Sequence, residues 1–357
     1  MLKTAMDDVQ FLAVLVHRGH LTRAEAEILL PTLKSGGDLD QLLETNLRWA
    51  PDAIAKLRRT KGGEVPEIPG YEVLGALGSG GTADVFRARD KKTGDTIALK
   101  VLKPVATTSD VTRTAFIAEA RLLEKLEHKG LVKGYGVAKS GTTYFGRLEC
   151  IEGRTLLEVL DDGKAFGETV ALRIVLEAAE VLAYLASQGV VHRDVKPGNL
   201  MLTDSGHVKL IDLGFAASPE AQVKAKEGTT VGTVAYVSPE QARGAAAADL
   251  RSDIYSLGVT LFHLVVGRLP FASTNDSEVL RMQVMQSLSS AELKSRGFSP
   301  HLHYFIEKMM AKDLEHRYQD WPELIDDVKA QIEGREKLDF QGGADAKKAQ
   351  APRRRKF

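Results

Sequence analysis

A polar segment enclosed by apolar residues constrains this chain more than any other part of its sequence. Residues 190–202 are VVHRDVKPGNLML, where Val190-Val191 and Leu200-Met201-Leu202 flank a histidine, an arginine, an aspartate, a lysine and an asparagine. Short apolar runs of this kind predict buried strands, and Pro197-Gly198 predicts a turn between them. We therefore expect a rigid loop that presents chemical groups at fixed positions.

The composition indicates a globular chain without a bulk electrostatic preference. The 357 residues are enough for two or three domains, and Lys+Arg and Asp+Glu are both 48, so the formal net charge is +0. We therefore expect no nucleic-acid partner. No apolar stretch reaches the roughly 18 residues of a membrane span, so we expect none. The one cysteine, Cys150, rules out an intramolecular disulfide, and we expect a cytoplasmic protein.

Residues 1–60 predict a small all-helical domain. Thr22 and Glu25 fit a capping box at the start of TRAEAEILL, and Pro51 fits the first turn of the helix PDAIAKLRR. We expect this domain to serve a protein partner or to regulate the rest of the chain. The alternative is a helical bundle that only packs against its neighbour.

The pattern of apolar and polar residues changes again after this domain. Residues 61–70 form a Gly/Pro-rich linker without periodicity. A β-rich pattern begins at Tyr71 and becomes mostly helical after about Thr155. Residues 333–357 are polar and basic, which is typical of a disordered tail.

A glycine-rich segment opens the β-rich region. Residues 77–85 are LGSGGTADV, with glycines at 78, 80 and 81. Glycines allow a tight hairpin turn whose backbone N–H groups can approach phosphate oxygens. Taken alone, the segment fits an ordinary hairpin equally well.

Three charged residues lie on or beside apolar elements. Lys100 falls within the strand pattern IALKVLK, and Glu119 lies beside the apolar face of a helix. Each is also typical of a surface position, but an ion pair between them would hold the ammonium against phosphates. Asp212 follows the apolar run VKLI, where a carboxylate can coordinate Mg²⁺.

Together these motifs resemble the eukaryotic-type protein kinases, in their bacterial (Hanks-type) serine/threonine branch, over residues 71–332. The resemblance implies an α+β fold with a β-rich N-lobe and a helical C-lobe, preceded here by the small all-α domain. The family's blocks occur in order, namely the Gly-rich loop, Lys100, Glu119, His192-Arg193-Asp194 with Asn199, Asp212-Leu213-Gly214, Ser238-Pro239-Glu240, Asp253 and Arg317.

Three departures from the family pattern remove no chemical group. Ala83 stands where many kinases have a third glycine, and its small side chain leaves room for a nucleotide. Leu213 replaces the phenylalanine of Asp-Phe-Gly and can fill the same apolar slot. Ser238 replaces the alanine of Ala-Pro-Glu.

The resemblance implies that the polar loop carries the chemistry of an ATP- and Mg²⁺-dependent serine/threonine kinase acting on protein hydroxyls. Asp194 would accept or orient the proton of the substrate hydroxyl, and Lys196 would reach the γ-phosphate. Asn199 and Asp212 would hold Mg²⁺. Phosphoryl transfer depends on positioning and on neutralising phosphate charge, which suits this mixture of charges on one stiff loop.

The resemblance also implies how ATP is held. Lys100, paired with Glu119, would grip the α and β phosphates, and adenine would lie between the two lobes. The nucleotide contacts implied in this way are Leu77, Gly78, Ser79, Gly80, Gly81, Thr82, Ala83, Asp84, Val85, Ala98, Leu148, Glu149, Ile151 and Met201, with Ile211 at the back.

Regulation is expected in the segment between Asp212 and Glu240. Thr229 and then Thr230 are the candidate phosphorylation sites, and Arg193 is the candidate ligand for the added phosphate. The alternative is a constitutively ordered segment in which Glu227 already supplies negative charge.

Two other classes of protein remain as alternatives. A catalytically weak pseudokinase acting as a scaffold would keep the fold but lose the lysine, the base or the metal aspartate. A small-molecule kinase would lack the Ser-Pro-Glu segment and the helix after it. Residues 1–60 faintly resemble the small helical N-terminal domains of secretion and pilus-assembly ATPases, and taken alone they fit a helical adaptor.

Overall fold

The computed structural model divides into two compact units. The first comprises Met1–Leu126 and Lys133–Ile151, and the second comprises Glu127–Val132 and Glu152–Phe357. The structure describes residues 8–17, 20–59, 66–213, 233–244, 248–288, 293–294 and 296–334.

Four helices open the first unit. They are α1 (Asp8–His17), α2 (Arg23–Lys34), α3 (Leu39–Leu47) and α4 (Pro51–Arg59). Their apolar faces close on one another in a core of Phe11, Leu12, Leu15, Leu21, Leu29, Leu33, Leu39, Leu43 and Ile54. The predicted capping box of Thr22 and Glu25 is confirmed, as is the start of a helix at Pro51. The helices, together with Leu21 between α1 and α2, therefore supply an apolar core.

An antiparallel sheet follows in the same unit. Its strands are β1 (Tyr71–Ser79), β2 (Ala83–Asp90), β3 (Thr96–Leu102), β4 (Gly134–Ser140) and β5 (Thr143–Glu149), in the order β1-β2-β3-β5-β4. Between β3 and β4 the chain forms α5 (Pro104–Thr107) and α6 (Asp110–Lys125). Phe116 of α6 packs with Ala83 and Leu102 of the sheet, which fixes α6 beside β3.

The second unit is mainly helical. Its helices are α7 (Leu156–Asp161), α8 (Glu168–Ser187), α9 (Pro239–Ala242), α10 (Leu250–Val266), α11 (Asp276–Met285), α12 (Pro300–Met309) and α13 (Trp321–Ile332). Strands β6 (Gly153–Thr155), β7 (Leu200–Thr203) and β8 (Val208–Leu210) form a small antiparallel sheet in that order.

Helix α10 forms the centre of this unit because it is buried on nearly all sides, as an interior helix must be. Gly258 allows the close approach of α12, since a Cβ at that position would lie 2.7 Å from the Cβ of Met309.

The predicted fold class is confirmed, with a β-sheet part, a helical part and helices before them. One local expectation was wrong, because Val190-Val191 forms no strand. The Val190 amide bonds to the Leu185 carbonyl and closes the end of α8, with Gly189 at φ 72°. Leu200-Met201-Leu202 does form a strand, β7.

Among the described residues, no helix combines the length and the apolarity that crossing a bilayer requires.

Candidate active site

Lys100 and Glu119 form a short ion pair within the first unit. The Lys100 Nζ atom donates to Glu119 Oε1 at 2.6 Å and to Oε2 at 2.8 Å. Lys100 lies on β3 opposite Gly146 of β5, and Glu119 lies on the buried face of α6. Only 16% of the lysine side chain and 6% of the glutamate side chain are exposed. The pair therefore fixes an ammonium group at one place beside the sheet.

Four of the apolar residues implied in nucleotide binding, Leu77, Val85, Ala98 and Leu148, lie on the same sheet. Ala98 on β3 is directly opposite Leu148 on β5, and Val85 on β2 is opposite Lys100. Leu148 and Lys100 also line one small recess together with Phe116, Glu119, Ala120, Leu123 and Gly146. Glu149 ends β5. The shared recess therefore places Leu148 next to the ion pair.

The glycine-rich turn is the hairpin between β1 and β2. Gly78 pairs with Val85 and Ser79 with Asp84, and the Gly80 amide donates to the Ala83 carbonyl at 2.8 Å. Thr82 and Gly81 complete the tip of the turn. The hairpin turn that the sequence predicts therefore presents Gly80 and Gly81 at its tip, while Gly78 lies in β1.

Lys103 contacts this turn, a position that sequence reasoning missed. Its Nζ atom donates to the Gly80 carbonyl at 2.6 Å and to Ser79 Oγ at 3.2 Å. The same atom lies 3.5 Å from Asp84 Oδ1. The Lys103 backbone amide also donates to the Thr82 carbonyl at 2.9 Å. One lysine thereby tethers the tip of a turn whose glycines otherwise allow many conformations.

In the second unit, the polar loop brings Asp194, Lys196 and Asn199 together. Asp194 Oδ2 accepts from Lys196 Nζ at 2.7 Å and from Asn199 Nδ2 at 3.0 Å. Asn199 Nδ2 also donates to the Asp194 carbonyl at 2.8 Å. A single 3₁₀ turn, Pro197–Asn199, folds the asparagine back toward the aspartate. Pro197-Gly198 therefore forms the turn that the sequence predicts.

Asp253 of α10 holds the start of this loop. Its two carboxylate oxygens accept the backbone amides of His192 at 2.8 Å and Arg193 at 2.7 Å. Arg193 has φ 66°, a left-handed conformation that an arginine adopts only when its surroundings impose it. Asp253 therefore fixes the backbone that presents Asp194.

His192 connects the loop to Asp212. Its Nδ1 atom accepts the Asp194 amide at 3.2 Å, and its Nε2 atom lies 2.6 Å from the Asp212 carbonyl oxygen. Because Nδ1 accepts, Nε2 carries the proton and donates it to that oxygen. The buried histidine thus joins the loop to the backbone of Asp212 through hydrogen bonds.

The electrostatics around Asp194 suit a proton acceptor near a cation site. Burial raises the pKa of the Asp194 carboxyl group, the neighbouring Lys196 and His192 oppose that rise, and the Asp212 carboxylate adds to it. Asp212 and Asp194 are therefore close enough to repel one another, and a divalent cation would relieve that repulsion. Both hydrogen bonds from the Asn199 side-chain amide to Asp194 use its nitrogen, so its oxygen is the atom suited to Mg²⁺. These residues fit a magnesium ion.

Helix α9 is joined to the polar loop by Gln241. The Gln241 Oε1 atom accepts from Ser238 Oγ at 2.9 Å in a capping box, while its Nε2 atom donates to the Arg193 carbonyl at 3.1 Å. Sequence reasoning identified Ser238-Pro239-Glu240 but missed this glutamine. The glutamine is three residues after Ser238, which is the spacing of the capping box.

Glu240 and Arg317 form a buried bidentate pair. Arg317 Nη1 and Nη2 each lie 2.8 Å from a Glu240 oxygen, and Ser252 Oγ donates to Glu240 Oε1 at 2.7 Å. Burial alone would raise the pKa of Glu240, but the hydrogen bonds and charge of Arg317 outweigh it and lower that pKa to about 2. The pair ties α9 to the chain after α12.

The remaining candidate residues lie outside the ion pair, the glycine-rich turn and the polar loop. Met201 lies on β7, and Ile151 and Ile211 lie in irregular backbone after β5 and β8. Thr229 and Thr230 lie outside the described residues. The phosphate-binding candidates of the first unit and the loop residues of the second are each assembled within their own unit.

Comparison with known proteins agrees with this geometry. The protein kinase domain model matches residues 71–327. Serine/threonine-protein kinase PrkC of Bacillus subtilis is 30% identical over 259 residues, which are 72% of this chain and 40% of the relative. Serine/threonine-protein kinase PknL of Mycobacterium tuberculosis is 33% identical over 250 residues, which are 70% of this chain and 62% of the relative.

The chain thus spans less than half the length of PrkC and less than two thirds of PknL. The pseudokinase alternative finds no support, since the lysine, the loop aspartate and the metal aspartate are all retained. The matched domain covers well over half of the sequence, and the chain belongs to the protein kinase family.

Proposed function

We propose that this chain is an ATP- and Mg²⁺-dependent serine/threonine kinase that phosphorylates protein hydroxyls. The observation that carries the proposal is the cluster of Asp194, Lys196 and Asn199 on a loop anchored by Asp253. PrkC and PknL are serine/threonine-protein kinases, which supports the choice of serine and threonine.

In the proposed reaction, the substrate oxygen forms a bond to the γ-phosphorus while the bond from that phosphorus to the β–γ bridging oxygen breaks. Asp194 accepts the hydroxyl proton, a role favoured by its raised pKa. Lys196, 2.7 Å from Asp194, holds that carboxylate and offers a positive charge for the transferred phosphate. Both residues therefore act where the substrate hydroxyl meets the γ-phosphate.

ATP and Mg²⁺ would be held by the residues already described. Lys100, oriented by Glu119, binds the α and β phosphates, and the turn over residues 77–85 covers them. Asn199 and Asp212 supply oxygen ligands for the metal. The ion held by these two residues would supply positive charge that neutralises the phosphates.

A radiolabel transfer experiment tests this proposal. The full chain is incubated with γ-labelled ATP and a generic protein substrate such as myelin basic protein, with either Mg²⁺ or excess EDTA. We expect labelled phosphoserine and phosphothreonine with Mg²⁺ only. Label on tyrosine alone, or transfer that is unchanged in EDTA, would contradict the proposal.

We further propose control by phosphorylation at Thr229, with Thr230 as the second position. A phosphate paired with Arg193 would tie the segment to the residue next to Asp194. Two charge-assisted hydrogen bonds at about 1.5–3 kcal/mol each supply about 3–6 kcal/mol, against about 5.5 kcal/mol for a near-complete switch. One phosphate therefore suffices for most of the switch.

Phosphatase treatment tests this regulation. We expect activity to fall as intact mass falls by whole phosphate groups, and to fall likewise in Thr229→Ala combined with Thr230→Ala. Activity that survives in both preparations would instead favour a segment that is ordered without modification, with Glu227 supplying the charge.

We propose that residues 1–60 are a separable module for a protein partner or for regulation. In support, the core of α1–α4 is built from residues between Phe11 and Ile54. A chain that begins at Lys61 is expected to fold and to phosphorylate a generic substrate at a rate similar to the full chain. An insoluble or inactive product would show that the helices complete the kinase domain.

A further inference from the structure

Lys103 holds the tip of the glycine-rich turn through both its side chain and its backbone. Its ammonium group donates to the Gly80 carbonyl at 2.6 Å and to Ser79 Oγ at 3.2 Å. Its backbone amide donates to the Thr82 carbonyl at 2.9 Å. A single residue beyond the end of β3 therefore contacts three residues of the turn.

The backbone that carries the Lys103 side chain is itself fixed on both sides. Lys103 lies between Leu102, the last residue of β3, and Pro104, the first residue of α5. The Lys103 carbonyl accepts from the Thr107 amide at 3.0 Å and from Thr107 Oγ1 at 3.0 Å. Because its amide is bound to the turn and its carbonyl is bound to α5, Lys103 gives the glycines of the turn a rigid support.

The ammonium group of Lys103 also faces Asp84. An ammonium has three N–H donors, and two of them bond to Gly80 and Ser79. The Nζ atom lies 3.5 Å from Asp84 Oδ1, which is buried and makes no hydrogen bond to any described residue. A buried carboxylate oxygen is costly without a nearby positive charge, so Lys103 compensates this one. The ammonium is therefore engaged with the turn on three sides.

The contact with Gly80 sets the direction of one peptide group. The Gly80 carbonyl and the Gly81 amide belong to the same planar trans peptide, in which the C=O and N–H bonds point in opposite directions. Because Lys103 binds the carbonyl, the Gly81 N–H bond points away from Lys103. Glycine on both sides would otherwise allow this peptide to rotate, so the lysine selects one of its orientations.

We propose that Lys103 strengthens the binding of the β and γ phosphates of ATP by fixing the Gly80–Gly81 peptide so that the Gly81 N–H group is available to a phosphate oxygen. This inference rests on the proposed kinase function, in which the turn covers the phosphates. Backbone N–H groups that are oriented in advance bind an anion without the entropic cost of ordering the turn. Lys103 is therefore a positioning residue that acts on the nucleotide through the turn.

Two lysine variants of the full chain provide a matched test. Lys103→Met removes the three donors, and Lys92→Met removes an exposed lysine in the turn between β2 and β3, at the other end of these strands. Equilibrium binding is measured with Mg²⁺ for ATP and for AMP, which lacks the β and γ phosphates. We expect Lys103→Met to raise the Kd for ATP about 3–10-fold, the effect of one hydrogen bond, and to leave the Kd for AMP unchanged. Lys92→Met should change neither. An equal rise for ATP and AMP, or no rise for ATP, would overturn the proposal.

The same binding measurement in Asp84→Asn separates peptide orientation from charge compensation. In that variant no buried carboxylate remains for Lys103 to neutralise, while the contact with the Gly80 carbonyl can still form. We expect Lys103→Met to raise the Kd for ATP by the same factor in Asp84→Asn as in the wild-type chain. If Lys103→Met has no effect in Asp84→Asn, the lysine acts only through Asp84 and the proposal is wrong.

Amide hydrogen exchange of residues 79–83 without nucleotide tests the tether itself. We expect faster exchange there in Lys103→Met than in Lys92→Met, and equal exchange in the two variants would overturn the inference. Because neither exchange nor binding requires phosphate transfer, the two proposals can fail separately. A wild-type chain that shows both differences but transfers no phosphate would overturn the proposed function and support this inference. A wild-type chain that binds no ATP would overturn both.

Discussion

Asp194→Asn is expected to lower kcat about 10²–10⁴-fold, or roughly 3–5.5 kcal/mol in activation free energy. The asparagine has nearly the shape of the aspartate but cannot accept the hydroxyl proton. It also loses the charge that Lys196 holds at 2.7 Å. The KM for ATP should change little, because the substitution leaves Lys100, the residue proposed to bind the α and β phosphates, paired with Glu119.

Steady-state kinetics with a control variant measure this effect. Asp204→Asn changes an exposed aspartate in the turn after β7 and should keep the wild-type kcat. Lys100→Met, which removes the ammonium bound by Glu119, is expected to reduce turnover severely. Wild-type rates in both Asp194→Asn and Lys100→Met would show that the chemistry lies elsewhere.

Arg317→Met is expected to lower the free energy of unfolding by about 3–5 kcal/mol, because it leaves the buried Glu240 carboxylate without its partner. Adding Glu240→Gln should recover much of the loss, since the glutamine carries no charge. Denaturant unfolding of the wild-type chain, the single variant and the double variant measures both changes. A single variant within about 0.5 kcal/mol of the wild type would contradict this view of the pair.

The same pair gives a pH dependence with a definite sign. The pKa of Glu240 is about 2 in the folded chain, below its ordinary value of 4.5. Its stabilising contribution is therefore fully present above pH 4.5 and is lost as the pH falls toward 2. In Arg317→Met, burial without a counter-charge should raise the pKa of Glu240. Protonation of Glu240 at low pH then removes the cost of burying an unpaired charge. The stability difference between wild type and variant should shrink from pH 6 to pH 3, and a constant difference would be the contrary result.

The sequence predicts the parts of the site that local pattern determines. Lys100 lies among apolar residues in its strand, and Glu119 lies beside the apolar face of its helix. The turn at Pro197-Gly198 needs no distant partner. These patterns depend on neighbours within a few residues. The order of the motifs along the chain then relates these residues to one family.

Other parts depend on residues far apart in the chain. Lys103 reaches Ser79 and Gly80 from 24 and 23 residues away, and Gln241 reaches Arg193 across 48 residues. Spacing alone does not indicate such contacts. Val190-Val191 shows the opposite error, because an apolar pair after a helix completes the helix end instead of beginning a strand.

Single-turnover transfer tests the assignment of Asp194, Lys196 and Asn199 most directly. The full chain, in excess over γ-labelled ATP, is mixed with Mg²⁺ and myelin basic protein, and the reaction is quenched over time. The assignment predicts that label moves to serine and threonine in the wild-type chain, and at least about 100-fold more slowly in Asp194→Asn. Label transfer at equal rates in the two chains, or none in the wild type, would contradict it.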